Sequence, residues 1–295
     1  MDNYLTQQKS LTTDTSLKNV MSHIVTPFSP YFFCDHYIGT EAHNFNIPIP
    51  DSIHNILLTR DLSTIREGDF VLCEVNYFHL FCAEILPKIQ NKIVLVTSQY
   101  NLPQIHRTQT TDDLLKNDKI IRWISQNPIY SNEPKYVPFP YGICHNNVVE
   151  YMQHFVWEGS TKKIHNLTNM HSSIHPHLPK THIRLQYDIL GKDSGPMLPY
   201  KEFCENLQKT EFVISTVGDR DDCYRHYEAI GLGAIPISNV NSHYKALFGN
   251  NMHYSGSVEI NEVATRNAVS VEYHEPNKEL IFISYYVKRS KNIMA

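Results

Sequence analysis

Short apolar runs, each closed by small or polar residues, punctuate the chain at 31–34, 56–59, 69–75, 92–97, 212–214 and 234–237. Runs of this length suit buried strands. Between them lie stretches with helical spacing. Over 77–90, Phe78, Phe81, Cys82, Ile85 and Ile89 share one face, and over 112–125, Leu114, Leu115 and Ile121 point inward. A new strand is read from Phe155-Val156-Trp157; residues 200–209 are amphipathic, with Phe203 and Leu207 inward, 259–268 reads as a short helix, and 279–294 reads as a closing helix. Near-continuous apolar strands alternating with helices predict an α/β fold whose parallel sheets are covered on both faces. Ligands of such sheets bind beyond the carboxyl ends of the strands. That rule selects Asp35, Arg60, Glu74, His79 and Ser98 as polar candidates of the first half.

The stretch 212–238 is the most informative. An apolar run ends in Ser215-Thr216-Val217-Gly218, small residues that suit a tight strand-to-helix loop. Asp221 or Asp222 then caps a helix in which Arg225 and Glu228 project together, three residues apart. Gly231 and Gly233 end it before the strand Ala234-Ile235-Pro236-Ile237. A helix N-terminus behind such a loop is an anion site, and Arg225 in its first turn adds a positive charge.

The pattern Arg225-x-x-Glu228-Ala229-Ile230-x-x-Gly233-x-Ile235-Pro236-Ile237 resembles the donor-sugar motif of exostosin-like glycosyltransferases of the GT-B architecture. The plainer reading is an ordinary α/β unit with a surface Arg225–Glu228 ion pair. The resemblance is carried by 200–240, with traces over 69–160. It implies two Rossmann-like domains facing across a cleft. Residues 1–150 would hold the acceptor, 151–275 the nucleotide sugar, and 276–295 would form a helix crossing back to the first domain. It also implies a UDP-sugar donor, a glycan hydroxyl as acceptor, inversion at the anomeric carbon, and no cofactor or required metal. Arg225 would hold the diphosphate and Glu228 the ribose. Ser215, Thr216, Gly218 and Tyr224 around the helix start, the loop residues Gly159 and Ser160, and Arg184 complete the candidate donor site; equally, Gly159-Ser160 reads as a plain turn and Arg184 as surface cover. Inverting transfer needs a base to take the proton of the attacking hydroxyl. Glu74 is the first candidate, with Asp35 and His79 behind it; equally, Glu74 caps a helix beginning near Tyr77. A nucleotide-sugar-binding module without transfer is the alternative function. A dehydrogenase is disfavoured, since no GxGxxG follows a first strand.

Composition narrows this only a little. With 41% hydrophobic residues and 18 tyrosines the chain reads as globular, and a net charge of −4 argues against a nucleic-acid partner. Six cysteines without a CxxC pair read as reduced thiols. The polar start and the lack of a long apolar stretch lead to the expectation of a cytoplasmic chain with no transmembrane segment. Asp219, Asp221 and Asp222 crowd the donor loop with negative charge, which suits a diphosphate only if they turn away from it. Of the histidines at 165, 171, 175, 177 and 182, His171 and His175 have the i, i+4 spacing of a helical metal site, but Pro176 follows and no cysteine joins them, so the group is read as a polar loop.

Overall fold

The computed structural model describes residues 11, 13–98, 100, 104–156, 164–168, 198–218, 220–256 and 272–292. Gly159, Ser160, Arg184, Asp219 and the five clustered histidines lie outside the described residues or, for His165, have no described side chain. A helix expected over 259–268 also lies outside.

Two parallel sheets carry the fold. The first has six strands in the order β2-β1-β3-β4-β5-β6: β1 His36–Ile38, β2 His54–Asn55, β3 Phe70–Glu74, β4 Ile93–Ser98, β5 Ile120–Ser125 and β6 Tyr136–Pro138. The second has the order β10-β9-β8-β7: β7 Ile164–Thr168, β8 Thr210–Ile214, β9 Ile235–Ser238 and β10 His253–Tyr254. The expected mixed α/β fold with parallel sheets is therefore present. Every residue of β4 is buried, as a central strand covered on both faces must be. Alternate residues serve separate cores. Val71, Cys73, Leu95 and Trp123 face one cluster, whereas Leu72, Val94, Val96 and Ile124 face another.

The second cluster continues into the other sheet through Val213, Tyr227 and Ile230. Among the described residues six helices of seven residues or more pack with the sheets: α1 Leu17–His23, α2 Gln109–Lys116, α3 Val148–His154, α4 Tyr200–Lys209, α5 Tyr224–Gly231 and α6 Ile283–Asn292. In α4 the buried side chains are Phe203, Cys204 and Leu207, on the face that the spacing predicted. The chain end returns to its beginning. Val25 N–H donates to the Ile281 carbonyl at 2.8 Å, and the rings of Tyr286 and Phe139 lie 5.3 Å apart.

Four sequence expectations need correction. Residues 31–34 do not form a strand; Pro30 opens a 3₁₀ turn over Ser29–Phe32, and β1 starts after it. Residues 56–59 are helical because the Asn55 side chain accepts from Leu57 N at 2.9 Å and caps a short turn. The helix read over 112–125 stops at Lys116, and β5 takes the apolar remainder between β4 and β6. Lys119 at that break donates to the carbonyls of Leu86, Pro87 and Ile89, closing the helical segment that follows β3. Finally, Phe155 caps the end of α3 rather than opening a strand.

Candidate functional site

The carboxyl end of β3 holds Glu74, which has no exposed surface. The next strand over, β1, ends in Gly39-Thr40-Glu41 and turns into a short helix over Glu41–Asn44. Glu74 accepts from Thr40 N at 2.9 Å, from Glu41 N at 2.8 Å and from the Tyr31 hydroxyl. It is thus a cap, though of the helix after β1 and not of the one near Tyr77. Gly39 is required for this approach, since a Cβ there would overlap the Glu74 carboxyl. Burial raises the Glu74 pKa, against the Tyr31 and backbone hydrogen bonds. Glu41 stands beside it, 8% exposed, and accepts from Tyr100 N at 3.0 Å. Burial and then the Glu74 carboxylate push the Glu41 pKa up to about 7, with the Arg220 charge opposing.

The second sheet supplies the loop after β8 and helix α5. The N-cap is Cys223, not Asp221 or Asp222. Three of the four loop amides are already bonded: Ser215 N to the Ile237 carbonyl, Val217 N to Asn239 Oδ1 and Gly218 N to the Arg220 carbonyl. Ser215 and Thr216 are buried. His226 locks the helix to this loop. Its Nδ1 accepts from Cys223 N at 3.1 Å, and its Nε2 lies 2.8 Å from the Ser215 carbonyl and 3.0 Å from Ser238 Oγ. Arg225, in the first turn, is half-buried, and its Nε has no hydrogen-bond partner among the described residues. Glu228, one turn on, is 3% exposed and accepts from the Tyr200 hydroxyl at 2.8 Å through Oε1. Burial raises its pKa to about 7, while the Tyr200 bond and the Arg225 charge pull it down. Glu228 is buried and accepts from Tyr200, so the two do not form a surface ion pair, although the Arg225 charge still acts on Glu228.

The carboxyl ends of the two sheets meet. Tyr141, just after β6, donates its N–H to Asp222 Oδ2 at 3.0 Å and lies over Tyr224, with ring centroids 5.0 Å apart. Asp222 also accepts from Tyr227 at 2.6 Å and from Tyr244 at 3.3 Å, so this carboxylate is taken up by the junction. Arg220 reaches across from the second sheet. It donates to the Tyr100 carbonyl, and its guanidinium sits 4.2 Å from the Tyr141 ring centre. Beyond Tyr100, His145 packs edge-on among the Phe28, Phe45 and Tyr100 rings. Its Nδ1 is buried with no partner among the described residues, and burial lowers its pKa.

The structure therefore gathers Ser215, Thr216, Gly218, Tyr224, Arg225 and Glu228 on one side of the junction and Glu74 on the other. Asp35 is not there. It precedes β1, is exposed, and accepts from Phe70 N at the amino edge of the sheet. Arg60 is exposed in a left-handed turn, and His79 is exposed on the helical segment after β3. Glu41, Arg220 and His145 belong to the junction and were not selected from sequence. Gly39-Thr40-Glu41 carries the same small-residue signal as the β8 loop; a strand placed too early put the mouth at Asp35. Beside the β8 loop, Ser238, Asn239, Tyr254 and Ser255 line a cavity of about 370 Å³ at the ends of β9 and β10. Among the described residues no group of three or more His, Cys, Asp or Glu side chains is placed to hold a metal ion, and no helix is long and apolar enough to cross a membrane. Compared with protein-family models and with curated proteins, the chain matches none.

Proposed function

We propose that the chain is a glycosyltransferase of the exostosin-like, GT-B kind. It moves a sugar from a UDP-sugar donor to a hydroxyl of a glycan acceptor, inverting the anomeric centre without a metal. Residues 1–150 take the acceptor, 151–275 the donor, and 276–295 tie the second domain back to the first. The observation that carries this reading is helix α5. It starts at the meeting of two sets of strand carboxyl ends, with Arg225 in its first turn and Glu228 one turn further in. The guanidinium of Arg225, half-buried in the first turn and with its buried Nε unpartnered among the described residues, suits a diphosphate through its fork of donors. Glu228 Oε1 is taken by Tyr200, and its Oε2, with no hydrogen bond to a described residue, suits a ribose hydroxyl. Because most amides of the β8 loop are spent internally, the grip on the leaving diphosphate rests on Arg225 and the helix N-terminus.

A binding module without transfer is favoured by one observation: Glu74, the carboxylate at the end of β3, is enclosed and fully capped. Calorimetry with UDP and a hydrolysis and transfer screen of UDP-sugars separate the two. For Arg225→Ala we expect an unchanged circular dichroism spectrum, UDP affinity weaker by about 30-fold (a charge-assisted hydrogen bond of about 2 kcal/mol), and no turnover. Unaltered UDP binding in that variant would remove the reading.

A further inference from the structure

The geometry points to Glu41 as the group that takes the proton from the acceptor hydroxyl, in a subsite walled by Phe45, Tyr100 and His145. This rests on the transferase reading above. Glu74 and Glu41 stand at the mouths of neighbouring strands but are held differently. Glu74 accepts three hydrogen bonds and has no exposed surface. Glu41 accepts one, from Tyr100 N to Oε2, and its Oε1 makes no hydrogen bond to a described residue. Phe45, at the end of the same short helix, is 36% exposed, and its ring centre lies 4.3 Å from that of Tyr100. His145 is 5% exposed, packs on both rings, and keeps a buried nitrogen without a partner among the described residues. An aromatic face with Phe45 at its exposed edge, beside a carboxylate oxygen without a described partner, suits a pyranose, which offers both an apolar face and hydroxyls.

The groups facing Glu41 are Glu74 from β3, Tyr31 from the turn before β1, and Arg220 from the loop after β8. Burial and the neighbouring carboxylate hold the Glu41 proton affinity near neutrality, where a general base is most effective. In the step itself, Glu41 Oε1 accepts the proton of the acceptor hydroxyl. That oxygen's electron pair forms the new bond to the anomeric carbon. The bond from that carbon to the β-phosphate oxygen breaks, and its pair leaves with the nucleotide diphosphate.

The test is Glu41→Gln in the full chain, assayed for UDP binding and for transfer from the UDP-sugar that the unaltered chain turns over. We expect UDP affinity within about twofold and kcat lower by about 10² to 10⁴, the usual contribution of a general base. We also expect the acid limb of the pH–rate profile near 7 to vanish, and added formate to restore part of the rate of Glu41→Ala. Should Glu41→Gln fail to fold, Glu41→Asp decides, with a lower kcat and the acid limb retained. Wild-type kcat with an unchanged acid limb in any of these variants overturns the assignment and leaves the transferase reading standing. Absence of both UDP binding and turnover in the unaltered chain takes both down.

Discussion

Burial holds the Glu228 carboxyl at about 7, against an ordinary value of 4.5. The unfolded chain ionises this group near the ordinary value, while the folded chain keeps its proton until about 7. Its contribution to stability is therefore complete below pH 4.5 and is lost as pH rises through 7. The loss approaches about 1.4 kcal/mol per pH unit within that window as an upper bound. Glu228→Gln carries no such titration. Denaturant midpoints measured from pH 5 to pH 8 should fall less steeply for the variant than for the unaltered chain. Parallel curves would show that Glu228 is ionised in the fold. The same carboxyl is the proposed ribose contact, so its protonation and its ligand are linked through one oxygen pair.

At the scale of the element, α5 is the part under tightest constraint. Its last residue, Gly231, faces the Tyr151 hydroxyl and the Ile281 side chain, and a Cβ there would overlap the tyrosine oxygen. Tyr151 in turn donates to the Glu228 carbonyl at 3.1 Å, closing the helix end. Gly231→Ala should therefore cost about 1–3 kcal/mol, the usual penalty for overpacking, despite the better helix propensity of alanine. A melting temperature equal to or above that of the unaltered chain would mean that α5 has room to shift. The helix start is fixed as firmly, by His226 bridging Cys223, Ser215 and Ser238. Both ends of α5 are thus positioned by side chains, which holds Arg225 at a set place relative to β8.

At the scale of the molecule, the two sheets share one buried cluster and a polar rivet. Asp222 accepts from the Tyr141 backbone of the first half and from Tyr227 and Tyr244 of the second. Removing one buried partner of such a network leaves its donors unsatisfied, at about 1–3 kcal/mol. Asp222→Ala should lower the melting temperature by several degrees and raise proteolytic cleavage around the junction. The continuous core predicts a single calorimetric transition for the unaltered chain. Two separate transitions would show that the halves fold independently and that the junction is a loose contact.

What the chain determined locally was the class of each strong element. Apolar runs such as those of β3, β4, β8 and β9, and the amphipathic face of α4, need only periodicity and burial to be recognised. The loop–helix unit with Arg225 and Glu228 was legible for the same reason, since its spacing is one turn of a single helix. The tertiary structure decided what depends on neighbours distant in sequence. Pro30 and Asn55 shifted β1 and β2 by local chemistry too subtle for an apolar-run reading, and that shift moved the mouth of the sheet from Asp35 to Glu41. Ile120–Ser125 became a strand because β4 and β6 offered it backbone partners on both sides. Glu41, Arg220, Asp222 and His145 meet only when two sheets come together at their carboxyl ends. No spacing along one segment encodes that meeting, because the desolvation and charge that tune those groups come from the other half of the chain.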